Sequence, residues 1–459
     1  MPGPLRFATW RSCTAASGSL GAHHGASIRP MSATHASRNA LLFDLARRHG
    51  TPLWVYDLRQ VDRALALLRS LLPNAEFAYA VKANAGGAIV RHLARAGVGA
   101  EAITVGELAR SLRSGVTPAR IVVGGPAQDA PLRDLARQAG VARVSLDSAG
   151  QWRAWWADEG GWPRMMRAFV RVNPGLDPRT HEHMAVGKAD SKFGLAPDEA
   201  LALAREVAAA GVLAGFHVHA GSQLTDPLVH EGVLATLMPL YDALPEAREI
   251  DLGGGFALPG YPLERLAELL AEGVEPRGLR LWLEPGRALV AAAGTLLTRV
   301  LHVKEGPRRH LIADAGMADL VRPALYGAHH PIAPITVHGR LLPAGTTVAP
   351  IDVPTDVDGP LCENADRLGR DVALPELDPG DLLAVGMAGA YGLGMGSHYA
   401  SHTHAPEVVI EPDGSSWLAR RRQPLSALWA DELAPPAEPG GRADGAVRAD
   451  EPTSPVNEA

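Results

Sequence analysis

Four lysines occur in this chain, Lys82, Lys188, Lys192 and Lys304, against roughly tenfold more arginine, so lysine is not its general surface cation. Lys82 closes the run Phe77-Ala78-Tyr79-Ala80-Val81 and precedes Ala83-Asn84. An apolar, β-prone run of this kind reads as a buried strand that delivers an amine at its C-terminal end. A desolvated amine has a lowered pKa and attacks carbonyls as a Schiff-base nucleophile. The other reading is a surface lysine that caps a strand. Further segments place reactive groups side by side. His217-Val218-His219-Ala220-Gly221-Ser222-Gln223 sets two imidazoles on one side of a strand, followed by a hydroxyl. They read as core histidines or as a zinc pair, though nearby cysteine ligands are missing. Gly253-Gly254-Gly255 follows Ile250-Asp251-Leu252 and can turn backbone N–H groups toward a phosphate, or be only a tight turn. Glu284-Pro285-Gly286-Arg287 brings a carboxylate and a guanidinium together, as a surface ion pair also would. Cys362 lies between Gly359-Pro360 and Glu363. Tyr391 sits among Gly386, Gly389, Gly392, Gly394 and Gly396, more glycine than strand packing needs. Close backbone approach to a ligand explains that excess.

The elements that would position these groups alternate along the chain. Eight short β-like runs, 77–81, 98–102, 121–123, 143–146, 168–172, 214–218, 249–252 and 280–283, are separated by Ala/Leu/Arg-rich helical stretches. The helices include 58–72, 87–96, 105–114, 131–139, 197–210 and 228–243. This rhythm predicts an α/β fold, a (β/α)8 TIM barrel over residues 38–290. The residues that follow the runs include Lys82, Thr104, Gly124, Asp147, Asn173, His219, Gly253 and Glu284. Barrel enzymes build their sites on that face. After about residue 290 the pattern changes to valine- and leucine-rich runs broken by Gly and Pro, at 295–304, 309–313, 333–337, 346–353, 382–385 and 406–411. These predict an all-β C-terminal domain over 291–432.

Composition sets outer bounds. A chain of 459 residues has ample length for two domains, and 46% hydrophobic with 20% charged residues is ordinary for a globular protein. The net charge of −6 carries no nucleic-acid signal, and apolar stretches such as 288–293 are too short to span a membrane. The two cysteines, Cys13 and Cys362, rule out a disulfide framework and suit a reducing, cytoplasmic setting. Residues 1–37 read as a disordered leader without an acidic group, and a transit segment or an internal start at Met31 both remain open. Residues 433–459, rich in Pro, Glu, Gly and Asp, read as a disordered tail.

An ordered set of motifs carries a resemblance. Tyr79-Ala80-Val81-Lys82-Ala83-Asn84, Ser191-Lys192-Phe193-Gly194, the His217–Gln223 segment, Gly253-Gly254-Gly255, Glu284-Pro285-Gly286-Arg287, Asp314-Ala315-Gly316-Met317, Arg322-Pro323-Ala324-Leu325-Tyr326-Gly327-Ala328, Gly359-Pro360-Leu361-Cys362-Glu363 and Gly389-Ala390-Tyr391 occur in one order. In that order they resemble the diaminopimelate decarboxylases, pyridoxal-phosphate enzymes of the alanine-racemase-like fold type. The resemblance spans about 40 to 430.

The resemblance implies roles. Lys82 would hold pyridoxal 5'-phosphate through its amine, Glu284 would pair with the pyridine nitrogen, and His219 would stack on the ring. Ser222, Gly254, Gly255, Gly286, Arg287 and Tyr391 would bind the phosphate or its surroundings. Arg287, Arg322 and Tyr326 would hold the substrate's distal carboxylate, with Tyr391 beside them. Cys362 would return a proton to the substrate carbon, and Glu363 would meet the distal amine, both from a partner subunit. That arrangement implies a homodimer with shared sites, an amino-acid substrate, and no metal. The implied reaction is meso-diaminopimelate to L-lysine and CO2. Two departures leave other substrates open, such as D-lysine, D-ornithine or a siderophore precursor. Ala220 stands where isoleucine is usual, and in the run from Met395 to His404 histidines replace the usual Asn and Arg. A non-catalytic cofactor-binding homologue is the remaining alternative. Carriers of that kind are bare barrels, and regulatory homologues typically lose the lysine or the cysteine.

Overall fold

The computed structural model describes residues 35–176, 191–343, 346 and 348–433. The expected leader up to residue 34, the tail from 434, Cys13 and Lys188 lie outside the described residues. After the helix His35–His49 comes the first strand, β1 (Leu53–Asp57). Then follow β2 (Ala75–Ala80), β3 (Gly99–Ala102), β4 (Ile121–Val123), β5 (Arg143–Leu146), β6 (Arg167–Arg171), β7 (Leu213–His217), β8 (Glu249–Asp251) and β9 (Arg280–Leu283). Strands β2 to β9 pair in parallel, each with the next, and β9 closes onto β2 through Leu281 opposite Ala75. This is the eight-stranded barrel that the alternation predicts.

Short buried runs make these strands, and local caps start the helices between them. Thr104 Oγ1 accepts the Glu107 N–H at 3.2 Å, while the Glu107 carboxylate accepts the Ile103 N–H at 2.8 Å. Asp129 and Ser148 cap the next two helices in the same way. Inside the barrel, Ala78, Val122, Phe169, Ala214 and Trp282 form a cluster apart from the main core. Arg143 closes the end below them, bonded to Glu249 at 2.8 Å and lying over the Trp282 ring. The lumen is therefore plugged, and the polar residues collect at the opposite, C-terminal rim.

The second sheet is built from β10 (Gly294–Lys304), β11 (Arg309–Ala313), β12 (Ile332–Pro334), β15 (Thr355–Asp358), β16 (Arg367–Gly369), β17 (Leu382–Val385), β18 (Glu407–Ile410) and β19 (Ser416–Arg420). A small separate hairpin joins β13 (Thr336–Val337) to β14 (Arg340–Leu341). The main path runs β16-β15-β11-β10-β1-β18-β19, with β17 on β10 and β12 on β17. The strand β1 thus lies between β10 and β18, antiparallel to one and parallel to the other. This corrects the expected boundary, since residues 38–290 contain a strand of the β domain. The helix His35–His49 also serves that domain, packing Leu42, Leu45 and Ala46 on Leu53, Val55, Leu297 and Val408. The run 346–353 is not a strand in its described residues, for Pro350 interrupts it, Pro354 follows it and pairing begins only at Thr355.

Candidate active site

At the end of β2 a single 3-10 turn, Val81–Ala83, presents the half-buried Lys82 at the barrel's upper rim. Its Nζ lies 2.5 Å from Glu101 Oε2, supplied by the neighbouring strand β3. Burial opposes the ammonium most strongly, but the carboxylates of Glu101 and Glu284 together outweigh it and raise the Lys82 pKa. The sequence reading expected a lowered pKa, and the correction comes from Glu101, which it did not place there, acting together with Glu284.

The strand after His217 turns to bring His219 against the glycine loop. His219 Nδ1 accepts the Gly254 N–H at 3.3 Å, which leaves the ring proton on Nε2. Burial and the nearby Lys82 charge lower its pKa to about 3, so the ring is neutral. The glycine loop tolerates no side chain. A Cβ at Gly254 would lie 2.2 Å from the Glu284 carbonyl oxygen, and one at Gly255, where φ is +97°, 2.0 Å from that of Gly221. Ser222 is exposed beside this contact. Gly286 packs on the lysine turn, where an added Cβ would lie 3.0 Å from that of Ala83.

Glu284 is buried below these groups, with His217 and Asp251. His217 Nε2 lies 3.7 Å from Glu284 Oε2, and its Nδ1 bonds Ser145 Oγ at 2.6 Å. The pair of histidines is therefore divided: His217 faces the acids and His219 the glycine loop. Burial, then the Asp251 and Glu101 charges, push the Glu284 pKa well up. Glu284 Oε1 and Asp251 Oδ2 are buried with no hydrogen-bond partner. Two crowded acids with orphaned oxygens suit a cationic N–H donor, which is what a protonated pyridine nitrogen offers. With Lys82 beside them and a side-chain-free loop above, the residues fit pyridoxal phosphate.

The β domain closes over this rim. Tyr391 donates its N–H to the Ala83 carbonyl at 2.7 Å, and Asn84 Nδ2 donates to the Gly389 carbonyl at 2.9 Å. The Arg287 guanidinium lies 4.8 Å from the centre of the Tyr391 ring. Arg322, 5% exposed, contacts His330 Nε2 at 3.4 Å, and His330 Nδ1 donates to the Gly386 carbonyl. Burial and then the Arg287 charge lower the Arg322 pKa to about 10. Neither guanidinium meets a carboxylate among the described residues, and Nε of each is buried without a partner. They form a cationic pocket ready for an anion.

Lys82, His219, Gly254, Gly255, Glu284, Gly286, Arg287, Arg322 and Tyr391 thus share one rim. Tyr326 is 64% exposed, and Cys362 and Glu363 are exposed on a separate loop after β15. Cys362 is a free thiol, and among the described residues no hydrogen bond or ion pair joins it to the lysine cluster. Sequence reasoning passed over Glu101 and His330. The available signal for Glu101 was a lone charge in the small-residue strand Gly99–Ala102.

A closed parallel barrel with a lysine at its rim, a buried acid for a ring nitrogen and an attached β sheet defines a pyridoxal-phosphate-dependent enzyme. The model for the pyridoxal-binding domain of pyridoxal-dependent decarboxylases matches residues 58–291. The chain is 38% identical to the diaminopimelate decarboxylase of Deinococcus radiodurans over 86% of its own length and 99% of that protein. It is 34% identical to the diaminopimelate decarboxylase of Aquifex aeolicus over 83% and 91%. The crystal structure of the Helicobacter pylori diaminopimelate decarboxylase complexed with L-lysine superposes with a TM-score of 0.75 at 30% identity, covering 85% of this chain and 99% of that one. The chain belongs to the diaminopimelate decarboxylase family of pyridoxal-dependent decarboxylases. It is a decarboxylase with pyridoxal phosphate as cofactor. No described helix is long and apolar enough to cross a membrane.

Proposed function

We propose that this enzyme converts meso-diaminopimelate to L-lysine and CO2. The observation that carries the substrate is the Arg287–Arg322 pocket, a half-buried and a buried cation, each with a buried Nε and neither with a carboxylate partner among the described residues. A simple diamine acid has no distal carboxylate to fill it, whereas diaminopimelate does. Pyridoxal phosphate, when bound, supplies the electron sink for the bond pair that CO2 leaves behind. Lys82 anchors the cofactor by its amine. Glu284, with Asp251 beneath it, holds a proton at the pyridine nitrogen. The neutral ring of His219 would hold the cofactor ring, and Ser222, Gly254, Gly255, Gly286 and Tyr391 would hold its phosphate. Arg287, Arg322 and Tyr326 hold the distal carboxylate of the substrate. Cys362 returns the proton to the α-carbon, and Glu363 meets the distal ammonium.

Cys362 and Glu363 act from a second copy of the chain. Their exposure on the loop after β15 supports this, since an exposed thiol and carboxylate are open to a second copy of the chain. The enzyme is then a homodimer with sites completed across the interface. An exposed free thiol also favours a reducing compartment, and we place the enzyme in the cytoplasm.

The test is CO2 release from the purified enzyme with meso-diaminopimelate, D-lysine, D-ornithine, L-lysine, L-ornithine and L-arginine. Diaminopimelate should be turned over fastest. Faster turnover of D-lysine or an L-diamine would keep the chemistry and discard the substrate. The histidine segment gives that second reading little support. His398 and His404 pack on each other with tilted rings, 4.3 Å between ring centres, and His402 Nε2 lies 3.2 Å from Asp319, so these side chains are held by each other and by Asp319.

A further inference from the structure

Cys362 is an exposed free thiol, so its placement depends on the loop that carries it. That loop leaves β15 at Gly359 and ends at Asp366, which is 2% exposed. The Asp366 carboxylate reaches two separate segments. Oδ1 accepts the Met317 N–H at 2.5 Å and Oδ2 accepts the Leu361 N–H at 2.6 Å. Its backbone closes the loop as well. Gly359 donates to the Asp366 carbonyl at 2.8 Å, and Asp366 donates to the Glu363 carbonyl at 2.9 Å. Both glycines at the contact leave room for the acid, since a Cβ at Gly316 or at Gly359 would lie 2.2 Å from Asp366 Oδ1. A second acid braces the far side of the turn: Asp319 Oδ2 accepts the Gly316 N–H at 3.2 Å and has His402 at ion-pair distance.

We propose that Asp366 is a positioning residue for the reaction, tying the Cys362–Glu363 loop to the Gly316 turn and so fixing where the thiol is presented. The inference rests on the role given to Cys362 above. It also explains the acid at this place. Two N–H donors from different segments need two acceptor oxygens, and an amide would turn a donor toward one of them. The histidine segment reaches this turn through His402 on Asp319 and through the Ser397 N–H, which donates to the Ala318 carbonyl at 2.9 Å.

The experiment is a cycle on the holoenzyme with wild type, Asp366→Asn, Cys362→Ala and the double variant. CO2 release from meso-diaminopimelate gives kcat and KM for each. Asp366→Asn should lower kcat about tenfold with KM and the cofactor absorption band unchanged, and the double variant should match Cys362→Ala within about twofold. Alkylation by iodoacetamide in a Cys13→Ser background reads the loop without activity, and Asp366→Asn should change the Cys362 rate at least about threefold. If Asp366→Asn does not fold, Gly316→Ala, which displaces the same carboxylate from the opposite side, takes its place in the cycle. Losses that multiply, or an unchanged kcat and alkylation rate, overturn the proposal. A fully active Cys362→Ala enzyme overturns the role of Cys362 itself, and that single variant reveals it separately.

Discussion

At the residue scale the site is governed by the neighbours of two cations. Lys82 must lose a proton before its amine can attack the cofactor aldehyde, yet Glu101 and Glu284 hold that proton in place. Replacing Glu101 by Gln removes the nearer carboxylate at nearly constant shape. Burial then acts with less opposition and the amine pKa falls. Each unit of that fall raises the free-amine fraction at neutral pH about tenfold. Uptake of pyridoxal phosphate by cofactor-free Glu101→Gln protein, followed by absorbance across pH, should therefore be faster and its profile shifted to lower pH. An unshifted profile would show that Glu101 does not control the amine. Arg322 is the second case. A charge-assisted hydrogen bond to the distal carboxylate contributes about 1.5–3 kcal/mol. Arg322→Ala should raise KM for diaminopimelate by one to two decades while leaving the cofactor band intact, and an unchanged KM would move the distal carboxylate elsewhere. Both cations were legible in the sequence, Lys82 from its strand and Arg322 from its motif. Glu101 and His330 were not, because each acts through a neighbour that only the fold supplies. Glu101 comes from the next strand and His330 from eight residues beyond Arg322.

At the scale of elements, the barrel was readable because each strand is a short apolar run with a helical pattern after it. Observed strands begin or end within about two residues of the expected ones. The β domain was less legible. Strand β15 reads Thr355-Asp356-Val357-Asp358, and its two acids are held by Arg308, Arg367 and His310, partners invisible in a linear pattern. The strand β1 was misplaced for a different reason. Its pattern is that of any buried strand, and only pairing with residues more than two hundred positions away assigns it to the second sheet. That assignment has a functional consequence. Trp54 in β1 is fully buried, and a Cβ at Gly392 would lie 2.6 Å from its ring, so it supports the glycine-rich segment that carries Tyr391. Trp54→Ala should destabilise the protein by about 3–5 kcal/mol in chemical denaturation. It should also weaken cofactor retention on dialysis, because the Tyr391–Ala83 tie loses its backing. Loss of stability with full cofactor retention would confine Trp54 to the core.

At the scale of the whole molecule, the proposed cofactor site and the proposed proton donor lie on different elements of one chain. The lysine rim lies where the β domain caps the barrel, and the free thiol lies exposed on a loop after β15. On the proposed function, a site divided in this way would become complete when two copies meet with each loop at the other's rim. The symmetry of a dimer then supplies two such sites. The arrangement predicts complementation between inactive chains. Lys82→Ala lacks the cofactor anchor and Cys362→Ala lacks the proton donor, so each homodimer should be nearly silent. In a mixed dimer, the Cys362→Ala chain offers an intact lysine rim and the Lys82→Ala chain offers an intact thiol, so one of the two sites is whole. Random exchange in an equal mixture makes about half the dimers mixed, which limits the recovered activity to about a quarter of wild type. Exchange is followed separately by mixing tagged and untagged subunits. Recovery near that ceiling requires the thiol to act in trans. Confirmed exchange without recovery would mean that each site is completed within one chain, and that the exposed loop must fold back over its own barrel rim to bring Cys362 to the substrate.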